Sequence, residues 1–279
     1  MLKIACAQLQ PEFGNVDENV EMVIRSIREA AAEAAQVVVV PELATTGYVF
    51  ADREEAYALS EEIPEGPSSQ RIIETAKDLG VYAIVGLAER VGGRLFNSAC
   101  VFGPQGFVGR FRKVHLWDRE NLVFEPGDLG FPVFNTPIGR IGTFICYDGW
   151  FPESYRSCVL AGADLICIPT NWVPIPGQDP RAQAMATILC MASAHSNSVV
   201  VAAADRVGVE RGQGFIGQSL IVSHTGWPLA GPASPHSQEI IYADVDLAAA
   251  RSARAWNAFN NPIRDRRPES YLSEDRSRT

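Results

Sequence analysis

The chain has 279 residues, 47% of them hydrophobic, and no stretch polar or Gly/Pro-rich enough to act as a linker, so one domain with a sizeable core is expected. Its formal charge is −9, from 24 Lys and Arg against 33 Asp and Glu, and the basic residues are dispersed apart from Arg264, Arg266 and Arg267, which argues against nucleic acid or an anionic membrane as a partner. No apolar run approaches the about 18 residues that span a bilayer, Met1-Leu2-Lys3-Ile4-Ala5-Cys6-Ala7 lacks the flank and core of a signal peptide, and six scattered cysteines form no CxxC pair, so reduced thiols in a cytoplasmic protein are expected.

In chain order, residues 2–8 read as a strand, and Asp17 to Ala35 as an amphipathic helix with Val20, Val23, Ile24 and Ile27 on one face. Val37 to Val40 have the composition of a strand buried on both faces and complete a β-α-β opening. A helix is predicted over Ser68 to Leu79, started by Ser68 or Ser69 and stopped by Gly80. Val81 to Glu89, Leu95 to Phe102 and Phe107 to Lys113 read as three strands joined by glycine-containing turns.

A strand then runs into Cys146, a helix covers Pro152 to Ala161 with the proline in its first turn, and a strand from Asp164 to Ile168 ends in Pro169-Thr170-Asn171. Ala-rich helix, apolar strand and proline occur in that order twice, at Ala30 to Pro41 and Leu160 to Pro169, which hints at two similar halves. A helix from Pro180 to Ser196, strands at Ser198 to Ala204, near Phe215 to Val222 and at Glu239 to Val245, and a short helical stretch beyond Asp246 complete the core. Hairpins mixed with β-α-β units imply an α/β fold of two layered sheets covered by helices. The polar segment at the carboxyl end cannot form its own core and is expected to fray or to lie on a neighbour.

Gly212-Gln213-Gly214-Phe215-Ile216-Gly217 spells a dinucleotide fingerprint, but it leads into a strand-like stretch where a pyrophosphate site needs a helix amino terminus, so a glycine-rich turn is expected. The four histidines, at 115, 195, 224 and 236, show no ligand spacing and read as packed or surface residues. Cys146 sits at a strand-to-helix junction, where a side chain is exposed at a strand's carboxyl end. Taken alone it reads better as a buried structural thiol, because a nucleophilic cysteine needs partners to take its proton and none of the histidines is an obvious base. Two other groups could serve. Glu42 follows the valine run and Pro41, where a carboxylate is costly unless paired or used. Lys113 closes a strand just before Val114-His115-Leu116-Trp117. Singly, they read as an ordinary loop carboxylate and a solvated lysine.

Together they are more specific, because each lies in a motif that resembles the nitrilase superfamily of carbon–nitrogen hydrolases. The matching stretches are Pro41-Glu42 with Thr46-Gly47-Tyr48, Arg112-Lys113-Val114-His115-Leu116, Phe124-Glu125-Pro126-Gly127-Asp128, and Ile145-Cys146-Tyr147-Asp148 with Phe151-Pro152-Glu153. Gly162-Ala163-Asp164, Ala204-Asp205-Arg206-Val207-Gly208 and Asp265-Arg266-Arg267-Pro268-Glu269 add to them, in the family's order and over essentially the whole chain. The resemblance implies a four-layer α-β-β-α sandwich with two mixed β-sheets over residues 1–260, a polar tail at 261–279 packed on a partner subunit, a homodimer or higher homo-oligomer, and no metal or organic cofactor.

It also implies roles: Glu42 as general base, Lys113 as oxyanion stabiliser and Cys146 as nucleophile. A second glutamate maps to Glu120, with Glu125 close enough to compete. Chemistry is consistent with this, since an ammonium lowers a thiol's pKa, a carboxylate can receive its proton, and the Tyr147 backbone N–H can share the oxyanion. Family members acting on nitriles commonly follow the cysteine with tryptophan and glutamate, whereas Tyr147-Asp148-Gly149 looks more like the amidase branches. Hydrolysis of a small neutral or aliphatic amide to carboxylate and ammonia through a thioester is therefore expected, with nitrile or N-carbamoyl hydrolysis as alternatives. A non-catalytic scaffold is the contrasting class, against which the intact Glu42, Lys113 and Cys146 argue. Tyr48, Tyr147, Asn171 and Trp172 are pocket candidates, although Tyr48 and Trp172 read equally well as core aromatics.

Overall fold

The four valines at 37–40 face two different cores, and that division sets the layering of the molecule. The computed structural model describes residues 1–179 and 182–271. Its first half contains β1 (Leu2–Gln8), α1 (Val16–Ala32), β2 (Val37–Val39), α2 (Arg53–Leu59), α3 (Pro67–Leu79), β3 (Tyr82–Val91), β4 (Arg94–Gly103) and β5 (Gly106–Arg112). The second half contains β6 (Val133–Thr136), β7 (Gly139–Thr143), α4 (Pro152–Leu160), β8 (Leu165–Pro169), α5 (Met185–Asn197) and β9 (Val200–Ala204). The short strands β10 (Val209–Glu210), β11 (Gln213–Gly214), β12 (Leu220–Val222) and β13 (Pro228–Ala230) follow, then β14 (Glu239–Val245) and α6 (Leu247–Ser252).

Two six-stranded mixed sheets result, ordered β14-β1-β2-β3-β4-β5 and β13-β12-β9-β8-β7-β6. In each, three central strands run parallel, β1-β2-β3 in one and β7-β8-β9 in the other, and the flanking pairs are antiparallel. Because side chains alternate across a strand, Val37 and Val39 enter the core between the sheets with Leu165, Cys167, Val200 and Ala202. Val38 and Val40 pack outward with Val23, Ile27 and Ile72 of α1 and α3. β8 divides in the same way, with Ile166 and Ile168 packing beside Tyr155, Val159 and Ala194 of α4 and α5. The order is helix, sheet, sheet, helix: a four-layer α-β-β-α sandwich. The echoed helix–strand–proline pattern corresponds to α1-β2-Pro41 and α4-β8-Pro169, one in each sheet.

Several local expectations need correction. α3 begins at Pro67, not at a serine cap, because the Glu61 carboxylate accepts the backbone N–H groups of Ser68 and Ser69 and the Ser69 hydroxyl. Gly80 does end it, with φ +69°. The strand expected to reach Cys146 stops at Thr143, and residues 146–150 form a 3-10 turn before α4. α5 starts at Met185; Pro180, where a helix start was expected, lies outside the described residues. The strand expected from Phe215 is confined to Leu220–Val222, and the glycine-rich motif forms the turn between β10 and β11 and the irregular chain after it. α2, β6 and β13 have no counterpart in the sequence reading. Among the described residues, no helix is long and apolar enough to cross a membrane.

Candidate active site

Both central strand triplets end at one side of the sandwich, and their carboxyl ends meet. After β2, Pro41 turns the chain so that Glu42 N–H donates to Thr170 O beyond β8 at 3.4 Å, and Asn171 Nδ2 donates to Glu42 O at 2.9 Å. The Glu42 backbone lies directly on β3 at Gly86, where a Cβ would come within 2.5 Å of Glu42 Cα and Leu43 N. Only glycine admits that approach. The Glu42 side chain is fully buried; its Oε1 accepts from Asn97 Nδ2 at 2.6 Å, while Oε2 has no hydrogen-bond partner.

Lys113 continues the β4–β5 ladder by one residue, with its N–H donating to Asn97 O at 2.8 Å. That register turns its side chain inward, where the ammonium donates to Glu42 Oε1 at 2.6 Å and Glu120 Oε1 at 2.7 Å. An ammonium has three N–H donors, so one remains after these two bonds. Burial pulls the Lys113 pKa down, but Glu120 and Glu42 more than offset this and hold it above the ordinary lysine value. Glu120 is likewise pushed up by burial and pulled back by Lys113. The same Glu120 oxygen accepts the Tyr48 hydroxyl at 2.6 Å. Glu125, the other candidate at this place, points elsewhere: it pairs with Arg53 at 2.7 Å and accepts the Leu95 N–H.

Cys146 opens the 3-10 turn with φ +45°, a left-handed conformation that costs a non-glycine residue on the order of 1–3 kcal/mol. The thiol is buried; burial first, and Glu42 second, push its pKa well above the usual cysteine value. Lys113, the Thr170 hydroxyl and the Asn171 N–H act in the opposite direction. The thiol therefore lies within electrostatic reach of the Glu42 carboxylate and of the ammonium.

Above it is a small, partly open chamber walled by Trp117, Tyr147, Trp150, Trp172, Val173 and Ile175, with Asn171 at its edge. Trp117 and Val173 are shared with an outer cleft, which Tyr48, Asp118, Arg119, Glu120 and Gln213 also line. Of the pocket candidates, Tyr147, Asn171 and Trp172 line the chamber, whereas the Tyr48 hydroxyl is given to Glu120 and its ring faces the outer cleft. The sequence reading misses Asn97, Trp117, Trp150 and Thr170. Asn97 carries a signal, since Asn97-Ser98 is a polar pair inside an otherwise apolar strand. The tryptophans carry none that separates them from core residues. Among the described residues, no group of three or more His, Cys, Asp and Glu side chains converges to hold a metal ion.

Comparison with known proteins identifies the family. The family model for carbon-nitrogen hydrolases matches residues 3–255. Curated relatives include a nitrilase of Pyrococcus abyssi, 43% identical over 98% of this chain and 100% of its own length, and an N-carbamoylputrescine amidase of Arabidopsis thaliana, 32% identical over 97% and 92%. Among solved structures, a carbon-nitrogen hydrolase from Helicobacter pylori superposes with a TM-score of 0.85 at 28% identity, covering 97% of this chain and 96% of that one. The chain thus belongs to the carbon–nitrogen hydrolases of the nitrilase superfamily.

Proposed function

We propose that the protein hydrolyses a small neutral or aliphatic amide to its carboxylate and ammonia, through a thioester on Cys146. The observation that carries this reading is the buried ammonium of Lys113 bound to Glu42 and Glu120 beside the thiol, with one Glu42 oxygen left unpartnered. That oxygen takes the Cys146 proton as the sulfur attacks the carbonyl carbon. The third Lys113 N–H and the Tyr147 backbone N–H, which opens a short helical turn and has no intrahelical acceptor, stabilise the oxyanion. Glu42 then returns the proton to nitrogen, the C–N bond breaks and ammonia leaves. Water, deprotonated by Glu42, cleaves the thioester and frees the thiol. Each proton transfer contributes about 10²- to 10⁴-fold. Glu120 holds Lys113 in line through its Oε1.

The inner chamber carries no charged side chain, which favours an uncharged, compact acyl group. Nitrile hydrolysis is the second reading, favoured by the Pyrococcus abyssi relative; N-carbamoyl hydrolysis is the third, favoured by the Arabidopsis thaliana relative. Ammonia release from matched amides, nitriles and N-carbamoyl compounds decides among them, and rapid turnover of nitriles with inert amides overturns the first. The parent enzyme should gain the mass of an acyl group on Cys146 during turnover, and Cys146→Ala should fold without activity. The tail at 261–279, of which 272–279 lie outside the described residues, is proposed to pack against a second subunit. Beside it, Trp256 and Phe259 are 54% and 84% exposed, too much apolar surface to leave in water without purpose.

A further inference from the structure

One buried carboxylate outside the proposed proton-transfer chemistry touches both segments that carry it. Asp148 is fully buried. Its Oδ1 accepts the His115 backbone N–H at 2.9 Å and the His115 ring at Nδ1 at 2.7 Å, while Oδ2 accepts the Ile145 N–H at 3.1 Å. With Asp148 ionised both its oxygens only accept, so Nδ1–H of His115 is the donor. His115 lies two residues after Lys113, and Ile145 one before Cys146. One side chain therefore ties the exit of β5 in one sheet to the exit of β7 in the other.

The remaining contacts make the tie rigid. The His115 ring stacks on Phe151 with centroids 3.6 Å apart and planes 10° from parallel. The Asp148 N–H donates back to Ile145 O at 2.9 Å, closing the turn that holds Cys146 at φ +45°. Such strain persists only where its surroundings over-determine it. Burial pushes the Asp148 carboxyl up, and the His115 ring and amide, with Lys113 beyond, draw it back toward the ionised form. A buried carboxylate with three N–H donors and no contact with the chamber is costly to keep unless it holds something in place.

We propose that Asp148 and His115 are positioning residues that keep the Cys146 turn in register with Lys113 during attack and oxyanion formation. This rests on Cys146 and Lys113 acting as described under Proposed function. Neither clamp residue lines the chamber, so their loss is expected to act on kcat and not on KM.

His115→Phe keeps a ring against Phe151 and removes the donor; His115→Asn restores an N–H near the place of Nδ1. Kinetics are normalised to the folded fraction measured by gel filtration and circular dichroism, so that unfolded molecules do not count. A misplacement of about 1 Å costs on the order of 10²-fold, so His115→Phe is expected to lower kcat about 10- to 100-fold with KM within about threefold, and His115→Asn to recover most of the loss. Parent kcat per folded molecule in His115→Phe, an effect on KM alone, or no recovery in His115→Asn overturns the clamp, whatever the melting temperature does. If His115→Phe does not fold, Asp148→Asn is read by the same kcat criterion. Cys146→Ala separates the two levels: full activity there removes the nucleophile and the clamp together, whereas an inactive Cys146→Ala beside an unimpaired His115→Phe removes only the clamp.

Discussion

Replacing Lys113 with methionine, which keeps the length and removes the charge, tests the site without reference to any substrate. In the parent, one ammonium 2.6 Å from Glu42 and 2.7 Å from Glu120 neutralises two carboxylates that pair with no other cation among the described residues. All three side chains are 5% exposed or less. Removing one partner of a buried ion pair costs about 3–5 kcal/mol, because the remaining charge stays buried. At roughly 2–4 °C per kcal/mol for a chain approaching this size, the melting temperature should fall by about 6–20 °C at pH 8. The pH dependence has a definite sign. Glu120 is already raised by burial, and Lys113 is the strongest influence pulling it back, so the variant raises it further. A carboxyl whose folded pKa exceeds its unfolded value weakens the fold above that folded pKa, and the penalty disappears as the pH falls and the site binds a proton. The deficit relative to the parent should therefore shrink from pH 8 toward pH 5, at about 1.4 kcal/mol per pH unit for one proton. Adding Glu120→Gln should recover part of it by removing one of the two negative charges. Urea denaturation of parent, single and double variants across that range supplies the measurement. A loss below about 1 kcal/mol at pH 8, or a deficit independent of pH, refutes the buried charge trio as the determinant.

Gly86→Ala places a methyl group 2.5 Å from the Glu42 backbone, which cannot yield as a flexible side chain would. Overpacking of this kind costs about 1–3 kcal/mol, and because the displaced residue is Glu42, kcat should fall further than stability alone explains; a stable variant with the parent's kcat would contradict the placement of Glu42. The free-enzyme thiol should also resist alkylation at neutral pH. Burial and Glu42 raise the Cys146 pKa, so the rate of capture by iodoacetamide should climb through pH 9 without levelling, and a plateau below pH 8 would show that a thiolate is formed in the resting site.

The layering is legible in short stretches of sequence because it depends on local chemistry. A valine run that ends in proline suits only a strand buried on both faces, and its counterpart Leu165–Pro169 repeats the logic in the second sheet. What the chain hides locally is whatever is stabilised from a distance. Glu61 caps α3 from six residues upstream of Pro67, so the serines look like the start when they are donors to someone else's carboxylate. α5 has Ala184 at its cap position and no side chain to announce it. Cys146 lies beyond its strand because the turn is closed by Asp148, whose other partner is His115, 33 positions away.

The same distinction explains the site. Glu42, Lys113, Glu120 and Cys146 can be picked out by motif, but that Oε1 of Glu42 is occupied and Oε2 is not depends on Asn97, which belongs to the middle of a strand. A carboxylate with both oxygens equally solvated would have no preferred direction in which to accept a proton. By filling one oxygen with an amide and an ammonium, the strand pair β4–β5 leaves the other as the open acceptor, and the turn after β7 brings the thiol within electrostatic reach of the carboxylate. Directionality of proton transfer is thus a property of the sheet register: shift β5 by one residue against β4, and Lys113 turns to the opposite face while Arg112 takes its place.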